Sequence, residues 1–278
     1  MKPSLAAIII TKNEEKMIAN CLEALSWCDE IIVLDTGSED RTLNIAESFD
    51  GVKIVVQKTQ SFAEARNAAL TETKSDWVLY IDADERIIPK LSKEILVQIE
   101  TTSQNALAFH RQNMMYGKYF TYGGWSENVV RVFRKTNFGG WTGDIHESPV
   151  FEGEAVLLHT PLIHLTHRST VEGLAKTISW TPIEARLLAE ADTPPVKIMT
   201  LFRKGFMEFF RRGILKKGYK DGQEGLIEAV VQGINRMLVY IQVWELQQKT
   251  SLAEKYQKQE LEIAELWKQE QKNEAKPK

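Results

Sequence analysis

The sequence predicts an α/β fold: a mostly parallel sheet flanked by helices, followed by a C-terminal helical extension. Three observations lead there. Strand-like and helix-like stretches alternate through the first hundred residues. The strand-like stretches are near-continuous apolar runs, the pattern of strands buried on both faces. From about residue 171 the apolar residues recur at helical spacing instead.

The elements follow in order. "LAAIIIT" (5–11) is the first strand. "NEEKMIANCLEALS" (13–26) has helical spacing at Met17, Ile18, Cys21, Leu22 and Leu25. "EIIVLDT" (30–36) is a second strand, closed by the turn "GSED", and "RTLNIAESF" (41–49) a helix. "VKIVVQ" (52–57), "SFAEARNAALTET" (61–73) and "WVLYIDADE" continue as strand, helix and strand. Four such units argue for a parallel sheet with helices on both faces. Between 105 and 168, "ALAFHRQNMMY", "NVVRVFRK" and "AVLLHTPLIHLTHR" read as strands of a mixed sheet. The Gly- and aromatic-rich stretches "YGGWSEN" and "FGGWTGDIHES" read as loops between them. The expected division is 1–170, with halves 1–104 and 105–170, and a helical region 171–278 whose charged end is a solvated helix.

Composition narrows the function. A formal net charge of −3 gives no global pull toward nucleic acid. No stretch approaches the roughly 18 consecutive apolar residues of a membrane span. "LAAIIIT" lacks the features of a signal peptide. The two cysteines, Cys21 and Cys28, form neither a zinc pattern nor a disulfide framework and are expected as buried thiols on one helix face. A reducing cytoplasm fits this.

Chemistry gathers at the strand ends. "WVLYIDADER" (77–86) runs from five apolar residues into Asp82, Asp84 and Glu85. Asp82 and Asp84 are two apart, so in extended chain they point the same way. Like charges so placed either face water in a turn or share a cation. Thr11, Asn13, Glu14 and Glu15 follow the first strand, and Asp35, Thr36 and Ser38 the second. Ligands of such sheets sit beyond the carboxyl ends of the strands. Several polar and acidic turns on one edge look like a site.

With "IIITKNEE", "VLDTGSEDRT", "FAEARNAAL" and "WVLYIDADER" in order across the first 90 residues, the chain resembles glycosyltransferase family 2, with the GT-A nucleotide-sugar-binding fold. "VVRVFRK", "GDIHE" and "PLIHLTHRS" resemble the branch containing lipopolysaccharide core β-glucosyltransferases. The resemblance implies a UDP-sugar donor and a divalent cation, Mg²⁺ or Mn²⁺, on its diphosphate. It makes 1–104 the nucleotide-sugar half and 105–170 the acceptor half. It assigns Asp84 to the metal and Asp82 to the metal or sugar, with Glu85 behind them. Thr11, Glu14 and Asp35 would line the base and ribose pocket. Arg66 would reach the nucleotide, or else pair on the surface with Glu64 or Asp84. The reaction implied is inverting transfer, which needs one general base near the acceptor. Glu147 is the expected base, with Asp144 in reserve. His164, among the cluster His146, His159, His164 and His167, is the histidine expected to join the metal. Arg131 and Arg134, alternating with Val132 and Phe133, are expected on one side of a strand, meeting a diphosphate or an anionic acceptor.

The expected acceptor is a saccharide of the cell envelope, free or lipid-linked. A peptide side chain as acceptor, a nucleotidyltransferase and a non-catalytic binding module are the alternatives. "TKNEE" lacks the glycine-rich basic loop expected of a nucleotidyltransferase. The segment 202–220, "FRKGFMEFFRRGILKKGYK", holds seven lysines and arginines among aromatic and aliphatic residues. It is either a helix packed by its Phe face or a basic amphipathic helix on an inner-membrane surface.

Overall fold

All seven residues of β1 (Leu5–Thr11) are buried, as expected of a strand at the middle of a sheet covered on both sides. The computed structural model describes residues 2–59, 61–143 and 147–274. After β1 come α1 (Ile18–Glu23), β2 (Glu30–Asp35), α2 (Thr42–Glu47), β3 (Val52–Val56), α3 (Phe62–Thr71) and β4 (Trp77–Asp82). Then follow β5 (Glu85–Arg86), α4 (Pro89–Thr101), β6 (Ala106–Met115), β7 (Lys118–Tyr119), β8 (Glu127–Arg134), β9 (Phe138–Thr142), β10 (Ser148–Phe151) and β11 (Ala155–Leu165). The chain then turns helical, with α5 (Thr170–Glu190), α6 (Ile198–Phe210), α7 (Gly222–Leu246) and α8 (Leu252–Glu274).

The sheet order is β3-β2-β1-β4-β8-β6-β11-β5, with β7 on β6. The first four strands are parallel, and β8 pairs antiparallel with both β4 and β6. The period-2 alternation of β1 divides its side chains between two faces. Leu5, Ala7 and Ile9 pack with Ile18 and Leu22 of α1 and Leu91 and Ile95 of α4. Ile8 and Ile10 pack with Ala65 and Ala69 of α3, Tyr80 of β4 and Trp141 of β9. Ser61 caps α3, its Oγ accepting from the Glu64 N–H at 3.2 Å. The result is a mixed sheet flanked by helices, as the alternation of elements predicts.

Four local expectations are corrected. The helix expected over 13–26 has its α-helical turns only at Ile18–Glu23, because the loop before it is tied to the next loop. Cys28 therefore lies beyond α1 and shares no helix with Cys21. Burial pushes the Cys21 thiol up to about 12, an inert packed sulfur. "FGGWTGDIHES" is not simply a loop, since β9 and β10 pair antiparallel around it. Arg131 and Arg134 do not share a side of β8: three residues apart in a strand, they face opposite ways. Arg134 stacks 4.6 Å over Trp77, whereas Arg131 points to the acids of β4 and β5.

The chain divides into two compact units, Met1–Ser169 and Thr170–Lys278. The helical unit is held by a small-residue seam. Gly225, Ala229 and Gly233 recur every fourth residue along α7, a spacing that puts them on one face. A Cβ added at Gly233 would stand 3.0 Å from the carbonyl oxygen of Gly205 on α6. One added at Gly225 would stand 2.1 Å from the carbonyl oxygen of Gly218. Gly225→Ala is therefore expected to destabilise this unit by about 2 kcal/mol. Urea unfolding followed by far-UV circular dichroism measures it, and an unshifted midpoint would show that the seam yields freely. Residues 253–271 of α8 are exposed.

Candidate active site

Register brings the strand ends together. Thr11 stands beside Asp35 across β1 and β2, and Ile10 beside Asp82 across β1 and β4. The two loops beyond β1 and β2 are sewn to each other. Asn13 N–H donates to Ser38 Oγ at 2.8 Å, its Oδ1 accepts from Glu39 N–H at 2.8 Å, and Glu14 N–H donates to Thr42 Oγ1 at 2.7 Å. Asn13 takes φ 57°, a left-handed value that asparagine tolerates. Thr11 is 2% exposed, and its Oγ1 has no hydrogen-bond partner among the described residues. Asp35 is fully buried, and its carboxylate is engaged by its own turn. It accepts from the N–H groups of Gly37 and Ser38, both at 2.8 Å, and from Ser38 Oγ at 2.5 Å. In this arrangement Asp35 organises the loop, as an acid in an Asx-type turn does.

Asp82 and Asp84, though two apart, meet different partners. Asp82 Oδ1 accepts from Arg66 at 3.1 Å and Oδ2 from Arg131 at 2.8 Å. Burial pushes the Asp82 carboxyl up, but Arg131 and then Arg66 outweigh it and hold it well below the usual carboxylate range. Glu85 lies behind, fully buried on β5. It accepts from the Asp82 N–H at 3.0 Å and from Arg131 at 2.9 Å, and Arg111 stands 3.6 Å away. Burial, with the Asp82 charge beside it, outweighs Arg131 and raises its carboxyl. Arg131, 6% exposed, is thus the cation that two acids share.

Asp84 turns the other way, toward β11. Its Oδ2 lies 3.3 Å from His164 Nε2, and its carbonyl accepts from the Leu165 N–H at 2.8 Å. Register explains the meeting: His164 pairs with Glu85 on β5 and with Asn113 on β6. His164 Nδ1 is 2.6 Å from Asn113 Oδ1, and Asn113 Nδ2 donates to the Trp125 carbonyl. With that amide orientation Oδ1 is an acceptor, so Nδ1 carries the proton and Nε2 is the ring nitrogen turned to the carboxylate. A metal-binding histidine is oriented by just such a bond on its far nitrogen. Two ligands adjacent on one octahedral ion, each about 2.1 Å from it, stand about 3 Å apart, close to the separation seen. The donor set therefore fits a divalent cation. No third His, Cys, Asp or Glu among the described residues completes a cluster there. A Mg²⁺-type ion commonly keeps waters and phosphate oxygens in its remaining positions.

Glu147 pairs with Arg66, which therefore spans Glu147 and Asp82. The Arg66 guanidinium lies 4.7 Å over the Trp141 ring, and the residue is 7% exposed. The carboxylates it meets are Asp82 and Glu147 rather than surface acids. Asn67, next on α3, clamps β9: its Oδ1 accepts from the Trp141 N–H and its Nδ2 donates to the Trp141 carbonyl, both at 2.8 Å. Gly140 permits this approach, for a Cβ there would stand 2.6 Å from Asn67 Oδ1. Asp144 and His146 lie outside the described residues. Arg111, Asn113 and Asn67 were not singled out in the sequence. The polar run "HRQN" between the apolar ends of one strand is the signal that marks the first two.

The family model for Glycosyl transferase family 2 matches residues 6–151, more than half the chain. The chain belongs to this family. Its mixed sheet, with acids beyond the parallel strands, is a GT-A type fold. The lipopolysaccharide core biosynthesis glycosyltransferase LpsC of Rhizobium meliloti is 26% identical over 266 residues, covering 88% of this chain and 93% of its own. An uncharacterized glycosyltransferase of Rickettsia bellii is 26% identical over 261 residues, covering 87% and 86%. Among solved structures, glucosyl-3-phosphoglycerate synthase of Mycobacterium tuberculosis, crystallised with Mn²⁺, UDP and phosphoglyceric acid, is 23% identical with a TM-score of 0.35. That match spans 40% of this chain and 43% of the synthase. No helix among the described residues is long and apolar enough to cross a membrane.

Proposed function

We propose that this family 2 glycosyltransferase moves a hexose, glucose from UDP-glucose, to a saccharide acceptor of the cell envelope, with inversion. The pairing of Asp84 with an Asn113-oriented His164 at the carboxyl edge carries this reading. These two side chains would hold Mg²⁺ or Mn²⁺, which supplies positive charge against the departing diphosphate. The 26% identity to LpsC over most of both chains supports the lipopolysaccharide core as the setting. We place the work in the cytoplasm, with 1–104 as the donor half, 105–170 as the acceptor half and 171–278 as a helical appendage.

The side chains divide the task. Thr11, with its buried unpartnered hydroxyl, Glu14 and the Asp35 turn shape the base and ribose pocket. Arg66 is the cation that bridges Asp82 and Glu147, and a phosphate oxygen competes with Glu147 for it. Once Arg66 turns to phosphate, Glu147 is left as the carboxylate that takes the proton of the attacking hydroxyl. Arg131 keeps Asp82 ionised and pointed at the sugar side of the edge.

Calorimetry of UDP binding tests the donor site. Binding is expected to require Mn²⁺ and to weaken at least about tenfold in Asp84→Ala and in His164→Ala. Metal-independent binding that both variants retain would place the diphosphate away from this pair.

A further inference from the structure

The outward side of α6 mixes large apolar side chains with cations. Gly205 and Glu208 are buried toward the rest of the helical unit. Met199, Phe202, Phe206, Met207 and Phe210 are exposed, Phe206 at 66%. Phe206 and Phe210 stack with centroids 6.2 Å apart. A π-helical turn, Arg211–Leu215, carries the apolar surface on to Ile214 and Leu215, also exposed. Beside these residues lies a groove of about 480 Å³, lined by Met207, Phe210, Leu215 and Tyr240 together with Lys204 and Arg211.

The charge on this stretch is one-sided. Residues 202–220 hold seven lysines and arginines and a single acid, in a chain of formal net charge −3. That acid, Glu208, is 8% exposed and taken up by Arg211 at 2.8 Å and Arg212 at 2.6 Å. No carboxylate of this segment is therefore presented outward. Arg203 and Lys216 are exposed among the apolar side chains. Apolar side chains interleaved with cations and with no outward carboxylate suit neither bulk water nor a packed protein face. An anionic bilayer accounts for both: apolar side chains enter the acyl boundary while cations meet the headgroup phosphates.

We propose that the face formed by α6 and the π-helical turn docks on an anionic phospholipid surface, with Phe206 and Phe210 inserted and the exposed Arg203 and Lys216 on the headgroups. This holds whatever sugar the enzyme transfers. Docking brings the enzyme to the surface where a lipid-linked acceptor lies.

Flotation of the full chain with vesicles tests it. Association with vesicles containing phosphatidylglycerol is expected to be at least about tenfold stronger than with phosphatidylcholine alone. Arg203→Glu/Lys216→Glu is expected to abolish that preference, and Phe206→Ser/Phe210→Ser to weaken binding to the anionic vesicles about tenfold or more. Mn²⁺-dependent UDP binding and far-UV circular dichroism check that both variants are folded. Equal association of the unaltered protein with the two vesicle types would overturn the proposal without any variant. So would a lipid-free dimer that Phe206→Ser/Phe210→Ser dissociates, since the face would then belong to a second copy.

Discussion

Glu147→Gln is expected to lower kcat about 10³-fold while UDP affinity holds or rises, since the amide competes less for Arg66. The amide preserves the shape of the side chain and removes its ability to take a proton. A positioned general base contributes roughly 10²–10⁴-fold, so the loss should fall in that range. The unaltered enzyme should also lose rate as the pH falls and the base is protonated, and the variant should lack that limb. The lost pH limb separates a base from a residue that merely holds Arg66, whose loss would change donor affinity and leave the limb in place. An Arg66→Met companion should raise the donor KM, because the phosphate loses its cation, and leave the pH limb in place. A Glu147→Gln enzyme with undiminished kcat would move the base to another acid of the segment before β10, with Asp144 the next to substitute.

The parts of this site legible in the sequence are those written locally. Trp77 to Ile81 is apolar on both faces and so announces a buried strand, and acids directly after it announce an edge. Asp84 could be named as a candidate for that reason, and His164 through the resemblance to the family. What joins them could not be read, because it depends on the pairing of β11 with β5 and β6. Asn113, which orients His164, is 51 residues away in sequence. The same holds for Arg66. One turn of α3 offers Glu64 as a local partner, yet the guanidinium reaches Asp82 and Glu147 across the edge. Asp35 shows the opposite: its partners are its own next residues, so the turn reading was available from "DTGS" alone. The hairpin β9–β10 was hidden because glycines usually mark loops. Here Gly140, at φ 94°, lets Asn67 reach the strand backbone.

Arg131→Met is expected to destabilise the unit Met1–Ser169 by about 3–5 kcal/mol, the largest effect on folding among these substitutions. Methionine fills much of the volume, so the loss is electrostatic rather than a cavity. Arg131 is the shared partner of Asp82 and Glu85, and Glu85 is fully buried. Removing one partner of a buried pair leaves an uncompensated charge, which is worse than never having had the pair. The pH dependence carries the sign. In the unaltered protein the Asp82 carboxyl is held below its unfolded value of about 3.9, so its contribution is present above that pH and fades as the pH falls below it. The Glu85 carboxyl is raised already, and without Arg131 it rises further. A raised carboxyl binds a proton in the folded state that the unfolded state has released. The variant should therefore lose additional stability as the pH climbs from the unfolded value of about 4.3 through the raised folded value. Urea unfolding across that range measures both trends. Arg131→Met/Glu85→Gln should recover part of the loss and flatten the alkaline slope, since the amide leaves no charge to bury. If the single variant is as stable as the unaltered protein at neutral pH, Arg111 alone suffices to neutralise Glu85, and Arg131 serves the donor rather than the fold.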